Sequence, residues 1–406
     1  MTPWRTPAVV VVCGGLILTL CLGVRQSFGL YLAPMTEAYG WGRETFSFAL
    51  AIQNLTWGLA QPLTGMIADR YGAGRVAVTG GLLYALGLLL MPVSSTGLQL
   101  GLSAGLLIGL GLSGTGFAIV YGAIGRRVAP EKASAALGMA GALGSLGQFV
   151  MLPYSYTLIA RFGWPQALVL LALTSALMVP LAAALVNTGS VTRVTARSMS
   201  MVQAVREAAG DRGFWLLNAG FLACGFQLAF MTSHLPAFLL DTGLGPAAGM
   251  TALAIIGAAN IPGTWLCGYL GGRFRQKYVL SALYALRASA TVLYIAIPVT
   301  PLSTYAFAVV MGLTWLGTVP LTGGLVSRIF GAQYASTLFG FVFLGHQVGG
   351  FAGVWMGGYI FDATGSYTAM WLLSIALGVL AALLHLPIDD RARAPRASPR
   401  VAVSVP

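Results

Sequence analysis

Charge is the first thing this chain lacks. Of 406 residues, 8% are Asp, Glu, Lys or Arg, where a soluble domain carries about a quarter. With 57% hydrophobic residues and a mean hydropathy of +0.82, most of the surface cannot face water. Acids are scarcer still: Glu37, Glu44, Asp69, Glu131, Glu207, Asp211, Asp241, Asp362, Asp389 and Asp390 all fall in or near expected loops. A carboxylate inside a span, the usual partner of a cationic solute or a proton relay, is missing. The four cysteines (Cys13, Cys21, Cys224, Cys267) show no Cys-x-x-Cys spacing, which excludes a disulfide framework or thiol-rich metal site. They read as small buried hydrophobes. Three separated histidines and no GxxxxGK[ST] stretch argue against an enzyme, a metal centre, any cofactor and ATP-driven work. The apolar/polar alternation of barrel strands is absent too.

What is present is 54 glycines and a succession of long apolar runs. In hydrocarbon a helix satisfies its own backbone, so each run of about 20 residues reads as a spanning helix. Glycine lets such helices pack closely. Twelve spans are expected, centred near residues 20, 56, 85, 112, 147, 176, 226, 260, 288, 313, 348 and 376. The run after MTPWRTPA is too long for a signal-peptide core and is read as an uncleaved first span. One long polar gap divides the chain. The expected organisation is a six-helix half at 1–187, a linker at 188–212, a second half at 213–388 and a tail at 389–406: an all-α membrane protein. A sensor should carry a larger soluble output domain than this linker and tail provide.

The basic residues orient the spans. With the N-terminus cytoplasmic, 18 of the 22 Lys and Arg fall on the cytoplasmic side. Arg43 and Arg161 fall opposite, and Arg25 and Arg287 lie within spans. That asymmetry is the positive-inside pattern of a multi-pass protein of the cell (inner) membrane with both termini cytoplasmic. The net charge of +12 is therefore a topology and lipid-headgroup signal, and no nucleic-acid-binding motif accompanies it. A monomer in the bilayer is expected.

The two halves repeat. GMIADRYGAGRV (65–76) matches GYLGGRFRQKYV (268–279) at an offset of 203, and GAIGRRVAPEKASAALG (122–138) matches GLVSRIFGAQYASTLFG (324–340) at 202. Pro34 and Pro236 form a further pair. Two parallel repeats joined by a basic linker make a transporter architecture.

G-M-I-A-D-R-Y-G-A-G-R, Gly65 to Arg75, resembles the signature loop between helices 2 and 3 of the major facilitator superfamily. Its degenerate copy follows helix 8, with Gly272 in place of Asp69. F-G-L-Y-L-A-P-M followed by G-W-G-R-E-T-F-S resembles, more narrowly, the monocarboxylate transporter and oxalate:formate antiporter branch. The resemblance implies two pseudo-symmetric six-helix halves rocking about a central site for small organic anions. Helices 1, 4, 7 and 10 would line the cavity, 2, 5, 8 and 11 would flank it, and the rest would lie outside. Gly65, Asp69, Arg70, Arg75 and Arg273 are the candidate gating residues: Gly65 permits close helix approach, and the charges can form contacts that hold one conformer. The alternative is that these charges only fix topology.

Arg25 is the leading substrate-site candidate. A mid-bilayer arginine costs about 2.5–3.5 kcal/mol even on lenient scales, its helix offers no carboxylate, and a guanidinium fork matches a carboxylate. The competing reading lets it snorkel to the headgroups. His346 and Gln347 on helix 11 are expected to face Arg25; His346 can donate to an anion, change charge near neutral pH to move a proton, or simply bond a neighbouring helix. His234 is placed at an outer gate or rim, and His385 has no assigned role. Arg287 lies after the second signature loop, whereas the resembling branch carries its key arginine on helix 8. There this chain has N-I-P-G-T-W with Asn260, so that role does not carry over, and structural pairing competes with cavity contact for Arg287. Tyr31, Tyr121, Gln148, Asn260, Asn54 and Trp315 are secondary candidates.

The expected function is secondary transport of a mono- or dicarboxylate, driven by a proton or counter-anion. The alternatives are an exporter of hydrophobic or aromatic compounds and a non-transporting membrane sensor. Exporters of that kind carry Gly-Pro at the end of helix 5, where this chain separates Gly147 from Pro153.

Overall fold

The computed structural model describes residues 6–128, 130–186, 201–330 and 335–391. Among them ten segments are long and apolar enough to cross a membrane. One of these, Ala136–Leu185, has 50 residues; at 1.5 Å per residue that is about 75 Å of helix, over twice the hydrocarbon thickness. It breaks at Gly163, whose φ of +78° favours glycine. Tyr154 Oη and Thr174 Oγ1 then lie 2.9 Å apart, so the two arms run side by side. Arg43–Tyr71 is a further 29-residue helix; charges at both ends and Gln53, Asn54 and Gln61 within it lower its hydropathy. Twelve helical segments of spanning length therefore stand among the described residues.

They are α1 (Pro7–Tyr39), α2 (Arg43–Tyr71), α3 (Ala73–Val93), α4 (Gly97–Ile124), the two arms α5 and α6 of Pro130–Ala176, α7 (Arg212–Asp241), α8 (Pro246–Arg273), α9 (Gln276–Ala296), α10 (Pro301–Phe330), α11 (Ala335–Thr364) and α12 (Thr368–His385). A short helix, Met201–Ala209, precedes α7. Local signals set many ends. Thr6 caps α1 through the Val9 amide with Pro7 at the first turn; Thr300 and Ser303 form a capping box that brackets Pro301. The turn from α2 to α3 uses Gly72 at φ +98°.

Three segments are interrupted. α1 tightens into a 3-10 turn at Phe28–Tyr31. α4 is broken at Gly116 and α10 between Thr314 and Thr318.

The two halves repeat in their packing. A Cβ on Gly147 of α5 would overlap the Thr19 carbonyl of α1, and one on Gly349 of α11 would overlap the Leu222 carbonyl of α7. The first and fifth helices of each half thus meet backbone to backbone. Buried apolar side chains form one large cluster in each half. The halves join mainly through α2 against α11 and α5 against α8. Asp69's side chain, Arg193, Arg197 and the tail basic residues beyond Arg391 lie outside the described residues.

Candidate functional site

The Arg25 side chain leaves α1 just before the 3-10 turn and points between the halves. Its Nη2 donates to Asn54 Oδ1 of α2 at 2.5 Å, and its guanidinium carbon lies 5.2 Å from the Trp57 ring centroid. Nε is buried and has no hydrogen-bond partner among the described residues. A cavity of about 10 Å³, the size of a single water, adjoins it. Its walls are Arg25, Phe28, Leu50, Gln53 and Asn54 from one half and Ala229, Thr232 and Ser233 from the other.

Asn54 links this arginine to α11. Its backbone carbonyl accepts from Gln347 Nε2 at 3.3 Å, and Gln347 Oε1 lies 3.0 Å from His346 Nδ1. Because a carbonyl can only accept, the Gln347 amide nitrogen must face Asn54 and its oxygen must face the imidazole. His346 Nδ1 is therefore the protonated nitrogen of that contact. A parallel aromatic path runs from Trp57 to Phe343 (5.3 Å, edge to face) and on to the stacked His346 ring (5.7 Å, 5°). Arg25, His346 and Gln347 share one network across the interface.

The other candidates sit elsewhere. Tyr31 is buried with its hydroxyl 2.9 Å from Ser155 Oγ. Tyr121 packs on Phe117, its hydroxyl against Gly141. Gln148 is buried with Oε1 unpartnered among the described residues, and its backbone touches Gly257 across the interface. Asn260 receives the Leu316 amide and the Thr264 hydroxyl on Oδ1 and donates to Ser145, so it pins the interruption of α10.

Arg287 is fully buried on α9 and does not line the Arg25 cavity. Its Nη2 donates to the carbonyls of Thr314 and, at 2.6 Å, Trp315; Nε reaches Thr314 Oγ1 at 3.3 Å and Nη1 reaches Cys224 Sγ at 3.3 Å. The cation thus sits on the negative end of the first α10 arm, where four carbonyls lack helical partners.

At the Arg43 end the halves are tied together. Arg43 makes a two-pronged ion pair with Asp241, both distances 2.7 Å, donates to Tyr367 Oη at 3.0 Å and lies 3.8 Å from the Phe361 ring centroid. Asp362 accepts from the backbone amides of Arg43 (2.9 Å) and Glu44 (2.7 Å), capping α2 from the other half. Glu44 in turn receives the Trp355 indole N–H at 3.0 Å. His234 bonds Tyr367 Oη and the Val354 carbonyl behind this cluster. A Cβ on Gly29 of α1 would overlap the Thr232 carbonyl of α7, so the halves also touch directly above Arg25. Sequence reasoning placed Arg43 at this end without a role. The legible signal was one of two arginines on the charge-poor side, with Asp241 and Asp362 at two facing helix ends.

The opposite end is different. A Cβ at Gly65, Gly138, Gly268 or Gly340, on α2, α5, α8 and α11, would meet no described atom within 4 Å. The close approach expected of Gly65 is not made in this conformation. Arg70 lies over its neighbour Tyr71, Arg75 is exposed, and Arg273 donates to Tyr269 Oη one turn back. These contacts are local to single helices.

A family model described as Major Facilitator Superfamily matches residues 13–354. The uncharacterized MFS-type transporter YcxA of Bacillus subtilis is 26% identical over 389 residues, covering 91% of this chain and 92% of that protein. Monocarboxylate transporter 13 of Rattus norvegicus is 27% identical, covering 90% and 86%, and monocarboxylate transporter 11 of Homo sapiens is 25% identical, covering 94% and 81%. A bacterial homolog of the human lysosomal transporter Spinster, solved in an inward-facing and occupied conformation, superposes with a TM-score of 0.72 over 95% of this chain and 97% of that one, at 15% identity.

Proposed function

Since the chain belongs to the Major Facilitator Superfamily, we propose that it carries a small organic anion, a mono- or dicarboxylate, by alternating access of its two halves. The observation that supports this most is the state of Arg25. It is a permanent cation between the halves, bonded to a neutral amide, with a buried N–H that meets no acceptor among the described residues. Among the described residues no acid neutralises it, since the described acids with a known placement cluster at helix ends. A carboxylate entering between Arg25 and the Thr232–Ser233 backbone would supply the missing acceptor. Gln53 and Asn54 add polar groups to that wall, and Gln347 joins Asn54 from α11. The monocarboxylate transporters among the relatives favour the same solute class.

In this reading the Arg-rich loops face the cytoplasm and the protein sits in the cell membrane. The conformer described is then closed outside by the Arg43 cluster and parted inside, where the glycines of α2, α5, α8 and α11 stand free. Separation at one end and contact at the other are the two halves of a rocking motion. The test is uptake of labelled lactate, oxalate and related acids by vesicles containing the purified chain. If Arg25→Gln carries them as well as the parent does, the anion site is not at Arg25.

A further inference from the structure

Asn54 meets α11 at a place that the two halves repeat. At the 203 offset Asn54 of α2 corresponds to Gly257 of α8, and at the 202 offset Gln148 of α5 corresponds to Gly350 of α11. Both pairs touch across the interface. A Cβ on Gly350 would meet Asn54 Cγ and Oδ1 at 3.3 Å, and one on Gly257 would meet the Gln148 backbone at 3.0 Å. Each crossing joins a glycine to an amide residue, but the amide comes from the flanking helix α2 in one and α5 in the other. Because α8 crosses α5 with a glycine at the position of Asn54, close packing alone does not call for a side chain there.

The Asn54 amide is oriented at both ends. Nδ2 donates to the Leu50 carbonyl at 3.0 Å, and Oδ1 accepts from Arg25 Nη2 at 2.5 Å. A carbonyl only accepts and a guanidinium only donates, so the amide cannot be turned round. The other half backs it: Gly350 lies against the amide, and Gln347 Nε2 donates to the Asn54 carbonyl at 3.3 Å. Gln148 differs, since its Oε1 has no partner among the described residues.

Nη2 and Nε share one edge of the guanidinium, and a carboxylate can fork across that edge. Asn54 Oδ1 takes the Nη2 end, while Nε is buried and meets no acceptor among the described residues. We infer that Asn54 is the positioning residue of this site: its amide oxygen stands in for the solute on Arg25 while the carrier is empty, and yields when a carboxylate forks across the edge. The role rests on the anion-transport reading and adds to it what holds the cation between cargoes.

A guanidinium carried through a closed conformer without an acceptor bears an uncompensated burial cost. The amide offsets part of that cost, so the empty halves can rock and the carrier can move solute in one direction as well as swap it. The amide is also weak enough to be displaced. A solute carboxylate adds the attraction of opposite charges to its hydrogen bonds, which a neutral amide lacks. A carboxylate fixed at position 54 would not yield in the same way.

The test follows labelled lactate and labelled oxalate in vesicles containing the purified full chain. Net efflux into acid-free buffer is compared with tracer exchange against equal unlabelled acid on both sides. Asn54→Ala removes the stand-in and its competition with the solute. It is expected to raise the ratio of exchange to net efflux at least about tenfold, and to lower the half-saturating concentration for exchange. Asn54→Asp keeps the shape and adds a permanent charge; its half-saturating concentration is expected to rise at least about tenfold. Lost packing would weaken both variants, so shifts in opposite directions separate positioning from a merely structural role. An unchanged ratio in Asn54→Ala, or a raised half-saturating concentration in both variants, overturns the stand-in. If neither variant folds, Gly350→Ala decides, because its methyl group presses on the Asn54 amide. It is expected to raise the same ratio at least about threefold, and an unchanged ratio overturns the proposal. A parent that exchanges acid without any net efflux overturns the stand-in alone. A parent that exchanges neither acid overturns the anion-transport reading, and the stand-in falls with it.

Discussion

Arg43 and Asp241 meet across the two halves through two nitrogen–oxygen contacts of 2.7 Å each, one from either prong of the guanidinium. The pair is partly shielded, and the Arg43 guanidinium also covers the Phe361 ring. It has to separate if the halves are to open at this end. With the Asp362 cap on α2, it sets how strongly the closed conformer is preferred.

Asp241→Asn is therefore expected to raise the population open at the Arg43 end. An ion pair of this exposure is worth about 1 kcal/mol, which is about a fivefold change in population. The labelling rate of a cysteine placed at Ser233 by a water-soluble maleimide reads it. Swapping the pair as Arg43→Asp with Asp241→Arg is expected to recover part of the parental rate. An unchanged rate in Asp241→Asn would show that the Asp362 cap and the Gly29–Thr232 contact hold this end closed without it.

Arg25→Gln keeps an amide donor and removes the charge. Hydrogen bonds to charged groups contribute about 1.5–3 kcal/mol, so acid transport is expected to fall about 10- to 100-fold. Arg25→Lys keeps the charge without the planar fork and should fall between the two. Initial uptake rates measured over a range of acid concentrations distinguish these cases.

Arg287→Met is expected to destabilise the chain. It leaves the Thr314 and Trp315 carbonyls buried without donors, each costing about 1–3 kcal/mol, and removes the cation from a helix C-terminus. Thermal unfolding in detergent should show a melting temperature well below that of the parent. Gly349→Val provides a steric comparison at the α7–α11 contact: overpacking there is expected to cost about 1–3 kcal/mol.

At the basic-loop end, Arg275 pairs with Asp390 through Nε at 3.1 Å and through Nη2. Lys277 Nζ donates to the carbonyls of Leu386 and Ile388. The Arg275 hydrogen bond holds the Asp390 carboxyl below the usual range. A depressed carboxylate stabilises the fold above its unfolded pKa, and that contribution disappears as pH falls through the folded value. Asp390→Asn should therefore melt slightly below the parent at pH 7 and match it at strongly acid pH.

The spans were legible because a bilayer forces length and hydropathy into agreement. Arg43–Tyr71 is instructive: its polar Gln53, Asn54 and Gln61 depress its hydropathy, and two of these three line the cavity. The meeting of Arg25 with His346 and Gln347 followed from the expected helix placement. The role of Asn54 as the link between them did not, because an uncharged amide in a span carries no energetic flag comparable to an arginine. Arg287 was ambiguous for a related reason. Its partners are two backbone carbonyls exposed by a helix interruption, and sequence does not display a missing helical hydrogen bond. The Arg43 cluster joins residues about 200 and 320 positions apart, and no local pattern encodes such a pairing.

The space beside Arg25 has a consequence for electrical leakage. A continuous file of waters conducts ions and protons, and a pocket with room for one molecule interrupts that file. Above it the Gly29–Thr232 backbone contact and the Arg43–Asp241 pair bring the two halves together. While this conformer persists, anything leaking past Arg25 would have to cross that one-water space and the Gly29–Thr232 contact.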